Sequence, residues 1–141
     1  MFAFTFFLFG LYMNVYKFLI PAITWHLILF YLLLGRVPAP EVEGNIPFID
    51  KLAHFCVFAL LVFLYKWGFQ KLNMQANRNI NSGFWSIFIG VAFGGISEIL
   101  QGMFFEYRSG DIADFMANVV GCMVGLFCYN LLRKTYFVKY L

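Results

Sequence analysis

Three short stretches of the sequence place titratable side chains at helical spacing, and each adjoins a long apolar run. They are DKLAHF at 50–55, SEILQ at 97–101 and RSGDIADFMAN at 108–118. Histidine and carboxylate groups together can transfer protons or hold a divalent metal that activates water. Arginine and lysine hold phosphate or carboxylate groups through charge-assisted hydrogen bonds. These residue types therefore allow hydrolysis, group transfer or the binding of a polar head.

The candidate catalytic residues are the histidine and the two carboxylates best suited to act as bases or metal ligands: His54, Glu98 and Asp114. No HExxH, GxSxG or CxxC motif accompanies them, so the sequence leaves a cofactor undetermined, with a divalent metal as one option. The remaining polar residues of the three stretches are candidate ligand-binding residues: Asp50, Lys51, Gln101, Arg108, Asp111 and Asn118.

The composition excludes an ordinary soluble domain. Of the 141 residues, 62% are apolar and only 12% are charged, whereas soluble domains carry about 25% charged residues. The sequence therefore predicts an all-α polytopic membrane protein, a bundle of about four transmembrane helices in a single domain over residues 1–141. Lys66 interrupts the second span, and we expect its ammonium to reach the membrane interface. The expected spans are 18–35, 52–69, 84–105 and 115–132, each near the roughly 20 helical residues that cross the hydrocarbon core.

The charges of the loops alternate along the chain. Six of the seven acidic residues fall in two loops, residues 36–50 and 106–114. The other connections and the carboxyl-terminal tail carry basic residues only, so the positive-inside tendency predicts that both termini are cytoplasmic and that the two acidic loops face outward. The basic residues are scattered, which argues against nucleic acid as a partner. The basic-only segments contain Lys17, then Lys66, Lys71 and Arg78, then Arg133, Lys134 and Lys139.

Helical periodicity brings the polar residues into stripes. Residues three, four and seven apart share a helix face, and each stripe contains a glycine pair of the kind that lets transmembrane helices approach closely. If the two pairs pack together, Glu98 and Gln101 lie opposite Asp114 and Asn118. One stripe is Gly90, Gly94, Ser97 and Gln101, with Glu98 on its flank, and the other is Asp114, Asn118, Gly121 and Gly125.

An ionisable side chain within a membrane segment costs about 2.5–3.5 kcal/mol and usually faces a partner or water. Glu98 therefore needs partners, and His54 and Arg108 are the obvious ones. Because all of these residues lie toward the outer ends of their spans, the sequence predicts a polar pocket in the outer leaflet, and not a pore across the midplane.

Each of these residues also has a purely structural explanation. Acidic residues at a helix start complement the helix dipole or cap the first turn, and amides hold neighbouring helices together. His54 could bond a backbone carbonyl, Glu98 could form an ion pair with Arg108, and Lys51 could anchor the interface. We interpret His26, which has no polar neighbour at helical spacing, as structural. The helix-start explanation applies to Asp50, Asp111 and Asp114, and the amide explanation to Gln101 and Asn118.

Taken together, the three stretches resemble the VanZ-like family of small bacterial integral membrane proteins. The resemblance covers residues of about 50–126. It implies a multi-pass protein of the bacterial plasma (inner) membrane, in a family linked to teicoplanin resistance through an unestablished mechanism. The family's motif positions correspond here to Asp50, Lys51, His54 and Phe55, then Glu98 and Gln101, then Arg108, Asp111, Asp114, Asn118, Gly121 and Gly125.

Three functional hypotheses follow. The first is a protein that binds or modifies a membrane lipid or lipid-linked cell-wall intermediate at the outer leaflet. The second is a membrane-embedded hydrolase or transferase that uses acid–base or metal-assisted chemistry. The third is a structural assembly protein whose polar residues only hold the helices together. A transporter is disfavoured because the polar residues do not continue to the inner side and no inverted repeat is present. The sequence leaves the oligomeric state open.

Overall fold

The computed structural model describes residues 16–34, 49–104 and 111–133, which contain four α-helices and no strand. A 3₁₀ turn, Lys17–Leu19, leads into helix α1, and three of the four helices are long and apolar enough to cross a membrane. The all-α prediction is confirmed. The helices are α1 (Ile20–Leu34), α2 (Ile49–Ala76), α3 (Ser82–Phe104) and α4 (Ile112–Leu132), and α1 is the shorter, apolar one.

Helix α2 extends well past the predicted end of its span at residue 69. The turn that follows is fixed by Asn73, whose side-chain amide donates to the Ile80 carbonyl at 2.7 Å and accepts from the Ile80 amide at 3.0 Å. Asn77 takes a positive φ of 46°, a conformation that asparagine adopts more readily than most residues. The Asn81 side chain then accepts from the Phe84 amide and caps the start of α3.

Lys66 is buried inside the bundle, and its ammonium extends toward the start of α3. Because α2 continues to Ala76, Lys66 lies within the helix, where it is only 8% exposed. Its ammonium donates to the Ser82 hydroxyl at 2.7 Å and lies 5.9 Å from the centre of the Tyr129 ring. A hydroxyl and an aromatic face thus replace water around this buried cation.

The glycine pairs do not pack against one another. A Cβ atom added to Gly121 would overlap the Phe55 carbonyl, and one added to Gly125 would overlap the Ala59 carbonyl, so the α4 pair packs on the backbone of α2. The α3 pair instead faces side chains: Cys122 and Val62 at Gly90, and Phe58 and Asn118 at Gly94. The condition that the two pairs pack together is not met, because a small-residue face specifies close approach without specifying the partner helix.

A small apolar core lies between the helices, and large apolar side chains cover much of the outside. His26 fits the structural interpretation, since its Nδ1 lies 3.0 Å from the Tyr65 hydroxyl and its ring packs on Phe93. Among the described residues no disulfide joins the three cysteines, which are all free. Fully buried core residues include Phe58, Leu61, Val62 and Cys122, and exposed ones include Ile99, Ile112, Met123 and Phe127.

Candidate functional site

The start of α2, the end of α3 and the start of α4 meet at one end of the bundle and bring seven polar side chains together. We call this group the polar cluster. The sequence predicted that these side chains converge, and the structure shows the contacts among them. The cluster consists of Asp50, Lys51 and His54 from α2, Glu98 from α3, and Asp111, Asp114 and Asn118 at the start of α4.

Lys51 links two carboxylates of the cluster. Its ammonium donates to Asp111 Oδ2 and to Asp114 Oδ1, both at 2.9 Å. Asp114 is nearly buried, whereas the side chains of Lys51 and Asp111 are partly exposed. The hydrogen bond from the Lys51 ammonium, together with one from the Ala113 amide, holds the pKa of Asp111 below its usual range. The start of α2 is thereby tied to the start of α4.

His54, Asn118 and Glu98 form a buried chain of polar contacts. His54 Nδ1 lies 2.9 Å from Asn118 Oδ1, and the Asn118 amide nitrogen lies 3.5 Å from Glu98 Oε1. Because an amide oxygen can only accept, this geometry places a proton on His54 Nδ1 and directs the Asn118 N–H toward Glu98. In neutral His54 the lone pair then lies on Nε2, the nitrogen that faces Asp50 at 3.9 Å. Such a histidine can act as a base or a metal ligand.

Asp111, the residue immediately before α4, has two structural roles. The Asp111 side chain accepts from the Ala113 amide at 2.8 Å and so caps the helix. The Asp111 backbone amide in turn donates to Glu98 Oε2 at 3.2 Å. Glu98, which is only 8% exposed, therefore accepts through both of its oxygens. The structural explanation for Asp111 and its place in the cluster apply together.

Three residues of the cluster could hold a metal ion. Ligand atoms of Asp50, His54 and Asp114 all lie within 4.8 Å of one another, and one imidazole with two carboxylates is a donor set that suits zinc and related ions. The Asn118 contact would orient the imidazole from its other nitrogen. The residues therefore fit a divalent cation, although the Lys51 ammonium already neutralises part of the negative charge beside Asp114.

Gln101 stands apart from these contacts. Gln101 donates from its amide nitrogen to the Leu33 carbonyl at 2.8 Å and so ties α3 to α1. Arg108 lies outside the described residues, as does the predicted pairing of Arg108 with Glu98. The catalytic and ligand-binding roles assigned to the nine candidate residues stay predictions.

A groove of about 360 Å³ opens beside the polar cluster, between the end of α3 and the start of α4. Glu98 and Asp111 line it together with apolar residues. Sequence reasoning missed the groove because its apolar residues have the same types and spacing as residues that simply face lipid. A second polar group that it missed joins Lys66, Ser82 and Gln70 at the other end of the bundle. The apolar lining of the groove is Gly95, Ile99, Ile112 and Phe115.

Comparison with known proteins gives two matches. The family model described as VanZ/LLP1 matches residues 1–133. An uncharacterised protein of the fission yeast Schizosaccharomyces pombe is 33% identical over 101 residues, which are 72% of this chain and 56% of that protein. The chain therefore spans little more than half the length of this relative. No solved structure matches the chain.

Proposed function

The chain belongs to the VanZ/LLP1 family, and from this premise we propose that its polar cluster binds, or binds and modifies, the head of a membrane lipid or a lipid-linked cell-envelope intermediate. One observation carries the proposal. The buried hydrogen-bonding cluster adjoins an apolar groove, and Glu98 and Asp111 belong to both. A site with these two parts matches a molecule that has a polar head and an apolar chain.

The distribution of polar groups supports a binding role over a purely structural one. Helix packing needs few charges, yet this end of the bundle concentrates six ionisable side chains, and contacts among them join α2 to α4 and to Glu98. Charged groups within a membrane segment are costly and often mark a functional site. His54 Nε2 and the exposed carboxylate of Asp50 point toward each other without reaching hydrogen-bond distance. The Nε2 lone pair of neutral His54 and the Asp50 carboxylate can therefore accept hydrogen bonds from a head group.

The membrane and its orientation are further parts of this proposal. The resemblance to small bacterial proteins supports the bacterial plasma membrane, while the fission yeast relative makes a eukaryotic membrane the alternative. The distribution of basic residues supports cytoplasmic termini and an outward-facing cluster. An effect on teicoplanin resistance rests on the family link alone.

Metal-assisted hydrolysis or transfer is the second candidate function. The observation that favours it is the proximity of ligand atoms from Asp50, His54 and Asp114. A bound divalent cation would supply Lewis acidity and lower the pKa of a bound water. The chain's own residues would hold that cation and, through Asn118, orient the imidazole.

The proposal can be tested by native mass spectrometry and metal analysis of purified protein. We expect wild-type protein to retain a lipid that the Asp114→Asn variant loses, because the substitution removes a carboxylate charge from the cluster with little change in shape. Ser86→Ala is the matched control, since Ser86 is buried and, within the described part of the chain, its hydroxyl bonds only to the Ser82 carbonyl toward the other end of α3. Both variants are to be checked for a monodisperse elution profile.

Equal lipid retention by all three folded proteins would contradict the lipid proposal. Stoichiometric metal in wild-type protein that is lost on His54→Gln would instead support the second function. Unfolding of both Asp114→Asn and Glu98→Gln in detergent would favour the structural hypothesis.

A further inference from the structure

We infer that the molecule bound at this site is an amphiphile with a protonated amine in its head, and that its chain enters sideways from the bilayer between α3 and α4. This inference rests on the proposed function and names the class of ligand. It follows from two separate observations, the openness of the groove and the balance of charge at its polar side.

The groove is open toward the surface that the surrounding lipid would contact. Ile99 on α3 is 62% exposed and Ile112 on α4 is 81% exposed, and both line the groove. Its volume of about 360 Å³ falls within the roughly 300–1,000 Å³ of typical ligand pockets. A hydrocarbon chain can therefore move from the bilayer into the groove without leaving an apolar environment.

The groove is lined almost entirely by apolar surface, and the polar residues at its border carry hydrogen-bond acceptors. Glu98 and Asp111 are the polar residues that line it. Lys51, the nearest described cation, is held by two carboxylates through bonds of 2.9 Å. A head that offered only phosphate would therefore meet like charge where the groove reaches the cluster.

The charge balance of the cluster extends this argument. Among the described residues the cluster contains four carboxyl groups and one lysine, so acidic groups outnumber basic ones there even with His54 counted among the bases. Glu98 accepts one hydrogen bond on each oxygen, and each carboxylate oxygen has a second lone pair for a further donor. A primary ammonium supplies three donors and the opposite charge. The cluster residues in this balance are Asp50, Lys51, Glu98, Asp111 and Asp114.

The test compares lipids with identical chains and different heads. Wild-type protein in nanodiscs is titrated with spin-labelled lipids that carry an ethanolamine, a choline or a glycerol head, and with soluble glycerophosphoethanolamine, which lacks the chains. We expect the ethanolamine lipid to bind about tenfold more tightly than the other two. We expect the soluble compound to bind weakly, because the groove contributes no contact to it.

Two variants separate the parts of the inference. Glu98→Gln keeps the shape of the side chain and removes its charge, so it should abolish the preference for ethanolamine while chain binding persists. Gly95→Leu should weaken all three lipids, because a Cβ atom at Gly95 meets only Phe115 at ordinary contact distance and a longer side chain would fill the groove. Asp111→Asn, which retains a capping side chain, provides a second test of the charge if Glu98→Gln does not fold.

The outcomes distinguish this inference from the proposed function. Loss of the ethanolamine preference in Glu98→Gln together with weaker binding in Gly95→Leu supports the inference. Lipid binding that depends on Asp114 but shows no preference for an amine overturns the inference and leaves the proposed function standing. Equal affinity of wild type and the folded variants for every lipid overturns both.

Discussion

At the scale of single residues, the central contact is the buried chain from His54 through Asn118 to Glu98. The sequence predicted that these side chains meet, because their spacing within each helix and the order of the helices constrain where they lie. It could not predict which atoms pair. Asn118 was equally compatible with a general role between helices, and only the structure places it between the imidazole and the carboxylate.

Asn118→Leu should therefore destabilise the protein. The substitution leaves His54 Nδ1 and Glu98 Oε1 without this partner at a site where Asn118 is 0% exposed, which costs about 1–3 kcal/mol for each unsatisfied group. Ser97→Ala is the control, since among the residues described the Ser97 hydroxyl bonds only to the Gly94 carbonyl of its own helix. Thermal unfolding in detergent measures the stability of both variants. An equal melting temperature for Asn118→Leu and Ser97→Ala would contradict the assigned contacts.

The contact between Lys51 and Asp111 predicts a dependence of stability on pH. Because the pKa of Asp111 is lowered in the folded protein, its carboxylate stabilises the fold above its ordinary pKa, and this contribution is lost as the pH falls below about 4. Asp111→Asn removes the titrating group and retains a side chain that caps α4. The unfolding free energies of wild type and variant should therefore converge on acidification from pH 6 to pH 3. A constant difference across this range would show that Lys51 does not stabilise the Asp111 carboxylate.

At the scale of helices, the existence and order of the apolar segments were predictable from hydropathy, whereas their ends and partners were not. Helix α2 extends beyond its predicted span. Its last two turns are too polar to be counted as part of an apolar span, and the contacts of Asn73 with Ile80 stabilise them. The same extension explains why Lys66 is buried near Ser82. The glycine pattern identified a close-packing face on α4, but only the three-dimensional arrangement shows that α2 occupies it.

Substitution of this face should loosen the bundle. Gly121→Ala or Gly125→Ala places a methyl group against the backbone of α2, which cannot move as a side-chain end can, and overpacking of this kind costs about 1–3 kcal/mol. Gly83→Ala is the control, because its nearest neighbour would be the Asn81 side chain at 3.7 Å. In a denaturing detergent, the resistance of Gly83→Ala to unfolding should be close to that of wild type, and the resistance of both other variants should be well below it. The reverse order would contradict the packing of α4 on α2.

At the scale of the whole molecule, the acceptor-rich cluster lies at one end of the bundle and the Lys66–Ser82 contact lies nearer the other. The turn between α2 and α3, with Arg78, is at the end opposite the cluster. If this turn faces the cytoplasm, as the basic residues indicate, the cluster faces outward. The composition made a membrane protein predictable, whereas the position of the polar cluster at one end of the bundle follows from where its residues lie along the helices.

The orientation can be measured with single cysteines in a variant that lacks the three native ones. A cysteine at position 79, in the turn before α3, should react with a membrane-impermeant maleimide only after the membrane is permeabilised. A cysteine at Ala113, at the cluster end of α4, should react in intact cells. Both positions are exposed in the structure. Labelling of Asn79→Cys alone in intact cells would reverse the proposed orientation.

Binding of a lipid amine at the polar cluster can be seen in a crystal structure of the protein grown in a lipidic mesophase that contains an ethanolamine lipid. We expect an ordered lipid with its amine within about 3 Å of Glu98 or Asp111 and its chain lying between α3 and α4. An ordered lipid head near Lys66 and Ser82, with the groove beside the polar cluster filled only by protein side chains, would contradict binding at the polar cluster.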